Sequence, residues 1–231
     1  MTGQLPLPVG LRDGNTLDNF LADGNPEAVA AVESLLAGRE TFVYLWGPPG
    51  TGRSHLLEGL ADAAGRRGVP VVWVPLAAAG RPPVELLDGV GETAGLVCLD
   101  DIDLIAGDRR WEEAVFHLFN QLRARGASLA VSAGVPPAQL PIHLPDLRSR
   151  LAHCTRIALQ PLDDAGRARL LRERAAARGL AFEDAALEWM LRRCSRDLRS
   201  LTALFERLDH ASLVAQRRLT VPFLRQVLAA D

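Results

Sequence analysis

The chain of 231 residues contains no lysine, and all 26 of its basic residues are arginine. Its three cysteines, Cys98, Cys154 and Cys194, form no C-x-x-C pair, which favours buried thiols in a reducing compartment over a disulfide framework. Its five histidines lack metal-ligand spacing. No apolar run approaches the roughly 18 residues that a membrane span needs, and the N-terminus lacks a basic leader. We therefore expect a cytoplasmic protein with no membrane partner.

Charge is distributed unevenly along the chain. Residues 1–147 hold 10 arginines and 18 acidic residues, whereas residues 148–231 hold 16 arginines and 10 acidic residues. This division indicates two regions with different surfaces. The basic region leaves electrostatic contact with DNA open, but the overall net charge of −2 argues against a sequence-specific DNA-binding module.

Hydrophobic patterning also changes along the chain. Strands alternate with helices up to about residue 161, which is typical of an α/β class with a parallel sheet covered by helices. From Leu162 onward the pattern is helical only. We predict a flexible tail (1–15), an α/β nucleotide-binding domain (16–161) and a small all-helical domain (162–231). The predicted strands are ETFVYLWG, VPVVWVPL, GLVCLDD, SLAVSA and TRIALQ.

The stretch GPPGTGRS, residues 47–54, lies between a predicted strand and a predicted helix, as a phosphate-binding loop does. Its glycines let backbone N–H groups converge on phosphate oxygens, and Ser54 offers a hydroxyl to Mg²⁺. A chance glycine turn is the alternative. Arg53 stands where such loops carry lysine, and its planar fork differs from a compact ammonium, so we predict nucleotide binding with little hydrolysis. The predicted nucleotide-binding residues here are Gly47, Pro49, Gly50, Thr51, Gly52, Arg53, Ser54 and His55.

Two adjacent carboxylates follow the apolar strand LVCLDD. An aspartate after a strand is commonly a turn or helix cap. Downstream of a phosphate loop, however, Asp100 and Asp101 can hold magnesium and orient a water molecule. We predict that Ser54 and Asp100 are the Mg²⁺ ligands.

Long stretches resemble the DnaA-related AAA+ family, and within it the Hda-like regulatory inactivators of the replication initiator DnaA. They include LDNFLADGNPEAVAAV, VYLWGPPGTGRSHLL, LVCLDDIDLIAGDRRWEEAVFHLFNQL and LDHASLVAQRRLTVPFL. The resemblance implies a P-loop AAA+ module followed by a helical lid. It implies that Leu17, Asn19 and Phe20 lie against the adenine. It also implies that Ser132 is the first sensor and that Arg199 of the lid is the second.

The same resemblance assigns a role to LPDLRSRL. Arg150 matches the arginine finger that reaches a partner's nucleotide, and Arg148 is the nearest alternative. The implied cofactor is ADP or a related nucleotide with Mg²⁺. Two departures from the family pattern indicate weak hydrolysis. One is Arg53, and the other is SAG at residues 132–134, where the family usually carries an aspartate. The chain also stops after the lid, without DnaA's DNA-reading domain, as expected of an Hda-like protein.

The N-terminal stretch QLPLPV resembles the peptide by which replication proteins dock on the sliding clamp. Prolines hold it extended, so less entropy is lost when Leu5 and Leu7 enter an apolar pocket. A frayed tail is the alternative. The predicted clamp-binding residues are Gln4, Leu5, Leu7 and Pro8.

Together these features predict a negative regulator of chromosomal replication initiation. Such a protein would be a nucleotide-bound adaptor that docks on the clamp and stimulates ATP hydrolysis by DnaA. Non-specific DNA, through the clamp complex, and a second copy of the chain are further candidate partners. The alternative function is an autonomous AAA+ ATPase such as a helicase loader.

Overall fold

The computed structural model describes residues 14–78, 82–193, 198–215 and 219–228. The predicted clamp-binding residues Gln4, Leu5, Leu7 and Pro8 lie outside the described residues, as does the side chain of Arg199. The chain divides into two compact units. One contains the described residues of Met1–Gly47 and Gly52–Leu159, and the other contains those of Pro48–Thr51 and Gln160–Asp231.

The first unit is built on a parallel sheet of five strands, all at positions where the sequence predicts them. The strand order across the sheet is β2-β3-β4-β1-β5, so the first strand in the chain pairs with the last two. This arrangement confirms the predicted α/β class with a parallel sheet. The strands are β1 (Phe42–Trp46), β2 (Val71–Pro75), β3 (Leu96–Asp100), β4 (Ser128–Ala133) and β5 (Thr155–Ala158).

Helices cover both faces of this sheet because successive side chains of a strand point to opposite faces. In β1, Val43 and Leu45 join one apolar cluster, whereas Tyr44 joins the other. The first cluster includes α1 (Pro26–Leu36) and α2 (Arg53–Arg66). The second includes α3 (Val90–Thr93), α4 (Arg109–Arg125) and α5 (Pro145–Ala152).

Local sequence signals fix the ends of the helices in this unit. Pro26 occupies the first position of α1 after Asn25, where its missing N–H costs no hydrogen bond. Asp108 caps α4 by accepting hydrogen bonds from two backbone N–H groups of its first turn. Gly126 ends α4 at a φ of 68°, a conformation that favours glycine.

The second unit is helical, as predicted, and has an apolar core of its own. Leu171, Met190 and Phe205 are among its buried side chains. None of the described helices is long and apolar enough to cross a membrane. The helices are α6 (Asp164–Ala177), α7 (Asp184–Arg193), α8 (Leu198–Ala215) and α9 (Val221–Leu228).

Candidate nucleotide site

A glycine-rich loop, residues 47–52, joins β1 to α2. Gly50 and Gly52 have φ angles of 81° and 93°, which disfavour any residue with a side chain. At Gly52 the constraint is also steric, because a Cβ atom there would lie 2.6 Å from Cε2 of Phe20. The glycines therefore permit the loop's backbone conformation, and Gly52 also leaves room for the Phe20 ring. Phosphate binding by this loop stays a prediction.

The segment of residues 14–20 packs directly against α2. A Cβ atom at Gly59 would lie 2.8 Å from the backbone nitrogen of Leu17, so the helix needs glycine at this position. Beside it, Asn15 Nδ2 donates a hydrogen bond to Oε2 of the buried Glu58 at 2.6 Å. Sequence reasoning missed Gly59. Its only signal was a glycine inside an amphipathic helix, where glycine costs about 1 kcal/mol relative to alanine.

His55 joins this segment to the first turn of α2. Its Nε2 lies 2.9 Å from the Thr16 carbonyl oxygen and 2.8 Å from Asn19 Oδ1. The ring of Phe20 meets the imidazole edge-on, with centroids 5.4 Å apart. The structure thus brings Leu17, Asn19, Phe20 and His55 together at the start of the helix. Their contact with adenine stays a prediction.

Arg53, the residue in the lysine position, is held by two acceptors. Its Nη2 donates to Oδ1 of Asp101 at 2.7 Å, and its Nη1 donates to the Gly47 carbonyl. The side chains of Arg53 and Asp101 are only 11% and 15% exposed. The guanidinium therefore links the beginning of the glycine loop to the end of β3. The sequence identified Arg53 as a departure but gave no indication of this partner.

Ser132 organises the two carboxylates at the end of β3. Its hydroxyl donates to Asp100 Oδ1 at 2.5 Å and accepts a hydrogen bond from the Asp101 backbone N–H at 2.8 Å. Ser132 is fully buried, and Asp101 has a φ of 61°, which is unusual for a residue other than glycine. Such strain persists only where surrounding contacts maintain it. The predicted Asp pair and first sensor are thus brought together, while the contact of Ser132 with nucleotide stays a prediction.

Negative charge is concentrated here. Burial raises the pKa of the Asp101 carboxyl, and the neighbouring Asp100 charge raises it further, while Arg53 acts in the opposite direction. Asp103 lies close by and accepts a hydrogen bond from the Gly134 N–H at 3.1 Å. One guanidinium thus stabilises a site that would otherwise repel its own carboxylates.

Ser54 and Asp100 offer the oxygen atoms that Mg²⁺ prefers. Ser54 is partly exposed in the first turn of α2, and Asp100 is buried at the end of β3. Among the described residues, no cluster of three or more histidine, cysteine or acidic side chains could hold a metal ion. These two residues fit a Mg²⁺ ion that takes its other ligands from phosphate and water, which is usual for this ion. Their role as Mg²⁺ ligands stays a prediction.

Arg150, the predicted arginine finger, lies on α5. Its guanidinium carbon lies 6.0 Å from the centroid of the Phe119 ring on α4. Arg150 is partly exposed and forms no ion pair with any residue that the structure describes. Arg148, the alternative, is exposed on the same helix.

Glu112 ties together the loops that lead into α4 and α5. Its carboxylate is 1% exposed and accepts hydrogen bonds from the backbone N–H groups of Gly107 at 2.7 Å and Leu144 at 2.7 Å. It also accepts one from the N–H of His143. The start of α5, and with it Arg150, is therefore tied to α4. Sequence reasoning missed Glu112, although its spacing from Val115 and Phe119 placed it on the buried face.

Comparison with known proteins gives a family match for the second unit and structural likenesses over most of the chain. Residues 164–228 match the family model described as the Hda lid domain. This match covers α6 to α9 of the second unit.

Solved structures extend the likeness over most of the chain. Domain III of Thermotoga maritima DnaA matches with a TM-score of 0.79 and 19% identity, covering 94% of this chain and 96% of that one. AMPPCP-bound DnaA from Aquifex aeolicus matches with a TM-score of 0.71 and 22% identity, over 85% and 65%. The Thermotoga maritima RuvB Holliday junction branch migration motor matches with a TM-score of 0.69 and 17% identity, over 95% and 72%. The chain therefore shares the fold of these structures.

Proposed function

We propose that this Hda-like, DnaA-related chain is a negative regulator of the initiation of chromosomal replication. In this proposal it holds ADP or a related nucleotide, docks on the sliding clamp and stimulates hydrolysis of the ATP bound to DnaA. The match of residues 164–228 to the Hda lid domain supports a role with DnaA. The protein would act in the cytoplasm, where chromosomal DNA is replicated.

The observation that carries the proposal is the state of Arg150. Its guanidinium packs over Phe119 and has no carboxylate partner among the described residues, so it is available to a second protein. A guanidinium supplied by a partner neutralises charge that develops on the transferred phosphoryl group, and accelerates hydrolysis by about 10³- to 10⁵-fold. Glu112 supports this role because it anchors the beginning of α5.

The chain's own nucleotide would shape the module rather than supply energy. The glycine loop would bind its phosphates over residues 50–54, and Leu17, Asn19 and Phe20 would contact its base. The DnaA neighbour solved with AMPPCP supports this assignment. Mg²⁺ on Ser54 and Asp100 would neutralise phosphate charge.

Clamp docking would bring the regulator to DNA where replication is under way. Gln4, Leu5, Leu7 and Pro8 would enter an apolar pocket on the clamp. Non-specific DNA would then lie close to the protein, and a second copy of the chain is a further candidate partner.

The decisive experiment measures conversion of ATP-bound DnaA to ADP-bound DnaA in the presence of DNA-loaded clamp. Arg150→Ala should abolish the stimulation, because a group acting on transition-state charge affects rate more than affinity. Arg150→Lys should rescue poorly, since an ammonium cannot reproduce the planar fork. Arg148→Ala is the matched control on the same helix and should retain stimulation. Nucleotide binding and clamp binding should stay unchanged in all three variants.

Two outcomes would contradict the proposal. If the Arg150→Ala variant still stimulates hydrolysis fully, Arg150 is not the arginine finger and Arg148 becomes the candidate. Clamp binding that survives Leu5→Ala combined with Leu7→Ala would exclude the docking motif. Calorimetry with ADP separately tests whether the chain binds nucleotide at all.

A further inference from the structure

We propose that Arg53 suppresses ATP hydrolysis by sequestering Asp101, so that the chain carries a latent ATPase site which a single substitution releases. The inference rests on the proposed nucleotide binding and extends it to the fate of the nucleotide. It concerns only this chain's own site and requires neither DnaA nor the clamp.

In the structure, the Asp101 carboxylate is bonded to the Arg53 guanidinium. A carboxylate at the end of a strand beside a phosphate loop can orient and deprotonate the attacking water. Here Oδ1 of Asp101 accepts a hydrogen bond from Arg53 at 2.7 Å, and both side chains are largely buried. Asp100 is held separately by Ser132, so it does not compete for the guanidinium. Asp101 is thus the carboxylate that could bind the attacking water, and its Oδ1 is already bonded to Arg53.

Arg53 is itself fixed at two points. One terminal nitrogen binds Asp101, and the other binds the Gly47 carbonyl at the start of the loop. A planar fork can hold two acceptors at once, whereas a lysine ammonium is a compact charge on a flexible stem. Lysine at position 53 would be free to turn toward phosphate oxygens and leave Asp101 to water.

The released reaction would be ordinary ATP hydrolysis. The water oxygen forms a bond to the γ-phosphorus, and the bond from that phosphorus to the β–γ bridging oxygen breaks, which leaves ADP. Asp101 accepts the proton that the water loses, and the water oxygen becomes part of the inorganic phosphate. ATP and water supply every atom of the products, and no oxidant or reductant is needed.

The test compares ATP turnover by the full chain and by Arg53→Lys, with ATP and Mg²⁺ as the only additions. We expect Arg53→Lys to hydrolyse ATP at least about tenfold faster than the unmodified chain, because positioned acid–base catalysis contributes about 10²- to 10⁴-fold. The double variant Arg53→Lys with Asp101→Asn should return to the unmodified rate. Binding of a fluorescent ATP analogue is measured on the same samples.

Three results would overturn the inference. The first is that Arg53→Lys binds ATP but hydrolyses it no faster than the unmodified chain. The second is that Arg53→Lys does not bind ATP. The third is a double variant as fast as Arg53→Lys, which would show that Asp101 is not the group released. Failure of the adaptor role would instead appear as absent stimulation of DnaA by the unmodified chain, in a separate assay.

Discussion

Charged side chains serve different purposes in the two units. In the first unit, the buried carboxylate of Glu112 accepts a hydrogen bond from the Leu144 N–H, 32 residues away. The Arg53 side chain, 11% exposed, pairs with Asp101, 48 residues away. In the second, ion pairs such as Arg192–Glu188 join neighbouring residues of one helix, with side chains 75% and 64% exposed. Exposed pairs contribute about 0–1 kcal/mol and weaken with salt, whereas removing a buried partner leaves polar groups unpaired. Sensitivity to loss of one charge should therefore be concentrated in the first unit.

The largest loss of stability is expected from Glu112→Ala. Three backbone N–H groups would lose their acceptor, and we expect the free energy of unfolding to fall by about 3 kcal/mol or more. Urea titration measures this change. The neighbouring Glu113 pairs with Arg109 on the surface, so Glu113→Ala should change it by less than about 0.5 kcal/mol. Equal effects at the two positions would contradict the comparison.

Gly59→Ala should lower the free energy of unfolding by about 1–2 kcal/mol. The added methyl group would collide with the backbone of Leu17, and this overpacking exceeds the gain in helix propensity. Gly65 lies in the same helix, and no atom lies within 4 Å of the position that its added methyl group would take, so Gly65→Ala should stabilise the protein by about 0.5–1 kcal/mol. Thermal melting of both variants gives the result, and stabilisation by Gly59→Ala would show that the segment of residues 14–20 does not pack on α2.

An intermediate effect is expected at Asp209 in the second unit. Its carboxylate pairs with Arg178 at 2.7 Å, and the same guanidinium lies over the Phe205 ring. Because Asp209 is only 15% exposed, Asp209→Asn should cost about 0.5–1 kcal/mol. Chemical denaturation measures this change in the free energy of unfolding. If Asp209→Asn cost as much as Glu112→Ala, the two units would not differ in their sensitivity to the loss of one charge.

The smallest effect is expected from Glu188→Gln. The pair with Arg192 is exposed at both ends, so its loss should change the free energy of unfolding by less than about 0.5 kcal/mol. In 1 M salt, where the Debye length is about 3 Å, the remaining difference should disappear. A large effect that persists in high salt would mean that this surface pair has a structural role.

Local patterns were sufficient to predict the five strands and the change to helices after the sheet. The apolar strands, the glycine loop and the change from alternating elements to helices each depend on residues close together in the chain. Pro26 and Asn25 likewise mark the start of α1 within a few residues. The structure confirms the parallel sheet and the helical region that these features predict.

Contacts between distant residues were not predictable in the same way. Arg53 meets Asp101, and Glu112 meets Leu144, only because the sheet order and helix packing bring those parts together. Helical spacing placed Glu112 on the buried face of α4, but nothing in the sequence indicated that it binds the N–H groups ahead of α5. Nor did the sequence indicate that the Ser132 hydroxyl bonds both Asp100 and the Asp101 N–H. The roles of the predicted site residues toward nucleotide and partners therefore depend on the experiments above.

The position of β1 in the sheet also affects how the protein is made. This strand leaves the ribosome early, but its neighbours β4 and β5 begin only at Ser128 and Thr155. At about 5–20 residues per second, an apolar strand waits several seconds for both of its partners. During that interval β2 and β3 can pair with each other, while β1 stays open to chaperones or to aggregation. We therefore expect the yield of folded protein to depend on translation speed between β1 and β5.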